Sequence, residues 1–458
     1  MTTKAPTNNR WSSNFSFVIA ATAAAVGLGN IWKFPYIVGQ NGGGAFVLVY
    51  LLFIFLIGVP VLMAEVLMGR RGRASPGYAV RKLAKESQVH SSWQITGWLG
   101  MFAGFMILSF YAVIAGWSLS YMVKAARGTF VGINEAGISK LFGSMVSSSS
   151  ELMLYTTLII VGTVVVVGKG FKSGLERSVT FLVPLLLVLL IIIAIYAAKI
   201  GDFDAAVSFL FKPDFGSLTK QGILLALGQS FFTLSLASGV MIIYGAYVPK
   251  ETSIITTSIW IGIADTVAAV VAGLAIFPIV FGYGLQPAEG PGLIFQTLPI
   301  AFSAMPATSL VATIFFLMLS LAAFTSAIAM IEASVAFVED KFNATRWTAA
   351  IVSGFTLWLV GLGTIYSFSG ANWAKIDWVI FGEQLPTIFD AINHIASNIL
   401  LPLGGLLAAI FTGWVMKKKF TQEELNTSPL AYFVWQVCVR YLAPVAIIAI
   451  FLQLLGFI

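Results

Sequence analysis

Cysteine is all but missing from this chain of 458 residues: Cys438 stands alone, so no internal disulfide framework and no thiolate metal centre can form. Histidine is nearly as scarce, His90 and His394 being isolated from each other in sequence. No nucleophile elbow, phosphate-binding glycine loop or His/Cys cluster appears, which removes the usual signatures of an enzyme. Charge is the third deficit. Only 10% of the residues are charged and 58% are hydrophobic, whereas a soluble domain carries about 25% charged residues. A water-soluble surface cannot be built from this composition. Soluble enzymes, disordered chains and nucleic-acid-binding proteins are excluded, and an all-α membrane protein with many spans is left. The net charge of +7 then asks for a topological explanation rather than a nucleic acid.

A spanning helix needs about 20 mostly apolar residues to cross roughly 30 Å of hydrocarbon. Eleven stretches qualify, near 14–38, 44–69, 94–123, 151–168, 178–198, 221–247, 254–283, 308–337, 347–367, 389–415 and 430–457. The first has no short apolar core followed by a small-residue cleavage site, so it reads as a retained span and not a signal peptide. Most basic residues, among them Arg70, Arg71, Arg73, Lys82, Lys85 and Lys417, fall on the side of the N-terminus. The positive-inside rule places that side in the cytoplasm, and an odd number of spans places the C-terminus outside.

Two spans are interrupted at their centres. Gly27-Leu28-Gly29-Asn30 breaks the first and Ser235-Leu236-Ala237-Ser238-Gly239 the sixth. Glycine there weakens a helix by about 1 kcal/mol relative to alanine, and backbone groups freed at that depth must line a protein-buried cavity. Either break alone is also what close helix packing uses. Both at matching positions, five spans apart, suggest two five-helix halves, 14–198 and 221–415, with a binding site between the breaks. Buried ionisable residues are the second signal, since each costs at least about 2.5 kcal/mol at the bilayer centre. Glu65, Asp265 and Glu332 are the clear cases, with Lys33, Asp390 and Arg440 nearer span ends. Asp265 has no basic neighbour in sequence, so it must be protonated, paired with a distant cation or bound to a metal ion. In the eighth span Ala322, Thr325 and Ser326 share one helix face. Hydroxyls beside a carbonyl are hard oxygen ligands suited to a small cation, although such hydroxyls also bond back to their own helix.

Together these motifs resemble the neurotransmitter:sodium symporter family. The resemblance is carried by Ala25-Val26-Gly27-Leu28-Gly29-Asn30-Ile31-Trp32-Lys33-Phe34-Pro35, by Asn41-Gly42-Gly43-Gly44-Ala45-Phe46, by Gly228-Gln229-Ser230-Phe231-Phe232-Thr233-Leu234-Ser235-Leu236 and by Phe324-Thr325-Ser326-Ala327-Ile328-Ala329. It runs from Trp11 to Pro444. It implies a LeuT-type five-plus-five inverted repeat with helices one and six broken, an eleventh helix at 430–457 and no twelfth. It also implies two sodium ions. The first site would use Ala25, Asn30, Thr233, Asp265 and the substrate carboxylate; the second Ala23, Val26, Ala322, Thr325 and Ser326. The substrate would contact Ala25, Gly27, Leu28, Gly29, Ile107, Tyr111, Phe232, Thr233, Ser235, Ser238, Ser326 and Met330, with Tyr111 covering it.

Departures from the family pattern carry further expectations. Ala269 stands where many relatives have a chloride-binding serine, and Asp265 already supplies a negative charge, so no chloride is expected. Lys33 replaces the arginine of the outer gate, Asn393 falls at its aspartate, and Asp390 one turn away is the substitute partner. Asn8 replaces the arginine of the inner latch beside Trp11, leaving Arg10 as the candidate partner for Asp340. Ser238 replaces a phenylalanine found in one relative and leaves room for a larger substrate. Gly174 and Pro184 are spaced like a motif associated with local unwinding. The expectation is therefore a sodium-coupled symporter of neutral amino acids, large apolar or aromatic ones favoured, in a bacterial cytoplasmic membrane, with sodium, substrate and lipid as partners and no nucleic acid. A proton-coupled carrier of related fold and an ion channel are the competing readings.

Overall fold

The computed structural model describes residues 10–286 and 292–454. Asn8 and the end of the expected eleventh span, 455–457, lie outside the described residues. Among those described, nine helices are long and apolar enough to cross a membrane. They are α2 (Gly44–Gly72), α3 (Ser91–Ala126), α4 (Ser149–Gly168), α5 (Phe171–Ile200), α7 (Ile254–Gly282), α8 (Thr308–Phe342), α9 (Arg346–Phe368), α10 (Ile388–Val415) and α11 (Pro429–Gln453). A tenth span, α1, is a pair of half-helices, Asn14–Ala25 and Gly29–Gln40, bent by 53°. The sixth, α6, is Lys220–Thr233 followed by Val240–Ala246, neither half long enough to cross alone. Counting α6 as one broken span, the described helices are consistent with the eleven spans of the hydropathy reading.

Both breaks fall where the sequence puts them. Val26 is extended, with φ −75° and ψ 93°, which stops the hydrogen-bond ladder of α1. In α6 the chain passes through left-handed conformations at Ser235, Ala237 and Gly239. For an L-residue that costs about 1–2 kcal/mol, so the stretch needs outside support. The Ala237 N–H donates to Glu65 on α2 at 2.6 Å, and the Ser235 hydroxyl donates to the Ala24 carbonyl at 2.7 Å. The second bond ties one break to the other.

The breaks are enclosed by the most buried helices. The apolar window of α8 is 78% buried and that of α3 72%, against 28% for α5, so α3 and α8 form an inner layer and α5 faces lipid. Glycine permits the close approach of α3 to the break in α6: a Cβ on Gly100 would lie 3.0 Å from the Ala237 carbonyl oxygen.

α5 starts earlier than expected, at Phe171 instead of 178, because Lys172, Glu176 and Arg177 interrupt the apolar run without interrupting the helix. The Gly174 segment is a wound π-helical turn continuous with the rest of α5, and Pro184 sits inside the helix.

Candidate functional site

Between the breaks lies a cavity of about 40 Å³. It is walled by Ala24, Ala25, Gly27 and Gly29 of α1, Ile107 and Tyr111 of α3, Phe232, Ser235, Leu236 and Ser238 of α6, Ser326 and Met330 of α8 and Leu401 of α10. Every expected lining residue is there except Leu28 and Thr233. Leu28 presents its backbone N–H to the Tyr111 hydroxyl at 3.3 Å, and Thr233 turns to Asp265. Ala24, Leu236 and Leu401 are additional: Leu236 lies within the break of α6 itself and Ala24 just before that of α1, while Leu401 sits in an apolar stretch with nothing to set it apart. No wall residue carries a charge. A zwitterion here would meet only hydroxyls and the backbone dipoles of the broken helices.

Asp265 is fully buried and accepts from three uncharged donors. The Asn30 amide reaches it at 2.8 Å, the Thr233 hydroxyl at 3.0 Å and the Tyr50 hydroxyl at 3.3 Å. Asn30 also accepts from the Gly27 N–H at 3.3 Å, which leads back to the α1 break and Ala25. The structure thus brings Asn30, Thr233 and Asp265 together and adds Tyr50, for which the sequence offers no local signal. Ala269, one turn beyond Asp265, is buried and apolar.

A second group of oxygens lies on the other side of the α1 break. The Ser326 hydroxyl donates to the Ala23 carbonyl at 3.2 Å and the Thr325 hydroxyl to the Ala322 carbonyl at 3.1 Å. The Thr325 contact is the ordinary back-bond within a helix; the Ser326 contact joins α8 to α1 just before Val26. The donor chemistry of both groups fits an alkali cation, since every candidate ligand is a hard oxygen. Among the described residues no three His, Cys, Asp or Glu side chains gather as a metal site.

The expected gate pairs do not form. Asp390 is the partner of Thr387 in a capping box at the start of α10, so its carboxylate is committed to the helix end. Lys33 instead lies over the Phe232 ring at 4.2 Å, and Asn393 accepts from Ser397. On the side of the N-terminal segment, Asp340 accepts from the Ser75 N–H at 2.8 Å, and Arg10 is exposed without an ion pair among the described residues. The segment is held by Trp11, which is buried, stacks edge-on against Phe171 and Tyr244, and donates its indole N–H to the Tyr244 carbonyl at 3.1 Å. Ser12 adds two hydrogen bonds to Glu176. Glu332 is an ion-pair member and not a lining residue: it binds Arg346 and accepts from Tyr247 at 2.8 Å.

A membrane bundle whose two broken helices enclose an uncharged cavity flanked by oxygen clusters has the build of a secondary transporter. The model of the sodium:neurotransmitter symporter family matches residues 8–131 and 129–456, and the chain belongs to that family, which is one of sodium-coupled transporters and not enzymes. An uncharacterized sodium-dependent transporter of Bacillus subtilis is 38% identical over 98% of both chains. The sodium-dependent nutrient amino acid transporter 1 of Drosophila persimilis is 23% identical over 98% of this chain and 75% of its own length. The crystal structure of MhsT in complex with L-phenylalanine superposes with a TM-score of 0.87 at 39% identity, over 97% of this chain and 99% of that one. The fold is accordingly the LeuT-type arrangement with helices one and six broken.

Proposed function

We propose that the protein is a sodium-coupled symporter of neutral amino acids, large apolar or aromatic ones preferred, working by alternating access around the central cavity. The observation that carries this reading is the uncharged cavity set between two helix breaks with an oxygen cluster on either side. Burying an unpaired lysine or glutamate side chain in such a wall is costly, whereas an apolar side chain gains about 0.8 kcal/mol per buried methylene. Ser238 is the small wall residue that would make room for it. The phenylalanine named with MhsT and the amino acids named for the Drosophila relative support the substrate class.

In this reading Ala25, Asn30, Thr233 and Asp265 hold one sodium ion, and Ala23, Val26, Ala322, Thr325 and Ser326 the other. Asp265 supplies the negative charge of the first site, so chloride is not required. Tyr111 positions the substrate carboxylate against the α1 break, where its hydroxyl already meets the Leu28 N–H. The cavity of about 40 Å³ is smaller than a bulky amino acid, so its walls move apart when substrate binds. The halves 14–198 and 221–415 would rock about this point. The membrane would be the bacterial cytoplasmic one, with the N-terminus inside and the C-terminus outside.

Binding of radiolabelled phenylalanine, leucine, alanine, glycine, lysine and glutamate to purified protein, in sodium and in potassium, tests the proposal. Sodium-dependent binding of the bulky neutral amino acids is expected. Equal binding in potassium, or preference for a charged amino acid, would refute it.

A further inference from the structure

The connection between α9 and α10 contains the antiparallel strands β1 (Lys375–Ile380) and β2 (Glu383–Thr387). Ile380 pairs with Glu383, leaving Phe381-Gly382 as a two-residue turn with both φ values positive. Such turns match the twist of a hairpin. The side chains near the turn are unusual for a water-exposed loop. Trp378 is 53% exposed, Val379 64% and Phe381 61%, together an apolar tip on a connection between two spans.

The hairpin folds down along α10. Glu383, next to the turn, contacts the buried His394 at 2.6 Å, and His394 is seven residues beyond the Thr387 cap, about 10 Å along a helix axis. α10 has 28 residues, about 42 Å of helix against roughly 30 Å of hydrocarbon. With the excess shared between its ends, the helix begins about 6 Å outside the hydrocarbon, and the hairpin tip, about 10 Å along it, comes within about 4 Å of the hydrocarbon boundary. A second observation agrees. α9 carries an exposed apolar stripe, Ile351, Phe355 and Leu359, that leads to Tyr366, whose ring meets Trp373 at 5.1 Å just before β1. The exposed apolar surface of α9 therefore continues to the base of the hairpin. Lys375, Asp377 and Glu383 are exposed on the same hairpin, which suits the headgroup layer and not the hydrocarbon centre.

We infer that this hairpin is a membrane-interface anchor: Trp378, Val379 and Phe381 insert at the headgroup–acyl boundary, and the Glu383–His394 contact fastens that anchor to α10. Aromatic residues favour this layer because one part of the ring is apolar and another polar. The surface is separate from the central cavity and does not depend on what the cavity binds.

The test uses an environment-sensitive fluorophore on Val379→Cys, and separately on Phe381→Cys, in the full chain carrying Cys438→Ala, reconstituted in phosphatidylcholine–phosphatidylglycerol vesicles. Lys140→Cys, at an exposed position in the α3–α4 connection, is the reference. Lipids spin-labelled near the headgroup should quench the hairpin probes at least threefold more than the reference, and aqueous iodide at least threefold less. Iodide quenching at 379 and 381 equal to that at 140 would overturn the inference. So would absence of lipid quenching together with Phe381→Cys cross-links between copies, which would make the face a contact between two chains.

Discussion

Replacing Gly27 by alanine probes the point where the cavity, the α1 break and α8 meet. A Cβ built on Gly27 would stand 2.5 Å from the Ser326 hydroxyl oxygen and 2.8 Å from the Tyr111 hydroxyl oxygen. Both hydroxyls would have to retreat. Neither has slack: Tyr111 meets the Leu28 N–H at 3.3 Å and Ser326 meets the Ala23 carbonyl at 3.2 Å, and a contact stretched to about 3.6 Å is no longer a hydrogen bond. Displaced, the Tyr111 hydroxyl no longer reaches the substrate carboxylate nor the Ser326 hydroxyl the sodium ion; at about 1 kcal/mol for each contact missing from the bound state, the expected loss is about 2 kcal/mol, or roughly 30-fold in affinity. Because Tyr111 belongs to the substrate wall and Ser326 to an oxygen cluster as well, amino acid binding and its sodium dependence should weaken together. Equilibrium binding of labelled phenylalanine across a sodium titration measures both. Gly29→Ala is the contrast, since its Cβ would meet only the Phe232 ring, at 3.3 Å, and the loss should be smaller. Binding by Gly27→Ala within threefold of the wild type at every sodium concentration would refute the reasoning.

Three further outcomes are expected. Thr325→Ala combined with Ser326→Ala should raise the sodium concentration for half-maximal uptake at least tenfold, measured in proteoliposomes; an unchanged requirement would remove this pair from the sodium assignment. Uptake should be the same in chloride and in gluconate media, while Asp265→Asn, which deletes the negative charge among Asn30, Thr233 and Tyr50, should lower sodium affinity; a wild-type chloride requirement contradicts this. Ser238→Phe should shift preference toward smaller amino acids in competition assays with tryptophan, leucine, alanine and glycine; if glycine or alanine already outcompetes leucine in the wild type, Ile107 and Met330 close the space and the size argument fails.

Much of the fold was readable from one dimension. Apolar runs of spanning length, glycine and serine at the centres of two of them, and the i, i+3, i+4 placement of Ala322, Thr325 and Ser326 are local properties, and local properties fix the depth and helix face of a residue. The breaks fell where Gly27 and Ser235 to Gly239 predict because no neighbour can restore a ladder that the chain itself interrupts. Charged residues misled at the start of α5, where Glu176 is buried but partnered by Ser12, so polarity marked a contact and not a span end.

Partner choice was not readable. Tyr50 reaches Asp265 from 215 positions away, Leu401 enters the cavity wall from the apolar run 399–403, and Arg346 pairs with Glu332 across the α8–α9 turn. Lys33 and Asp390 have the right charges for a gate and yet do not meet, because Asp390 satisfies the open N-terminus of α10 and Lys33 lies on Phe232. By itself the sequence determined which segments enter the membrane, where two of them break and which side chains are too polar to be there without purpose. Which of those side chains meet was decided only by tertiary structure. Helix rotation, tilt and close approach set distances of a few ångströms between residues hundreds of positions apart, and hydrogen bonds and ion pairs depend on those distances.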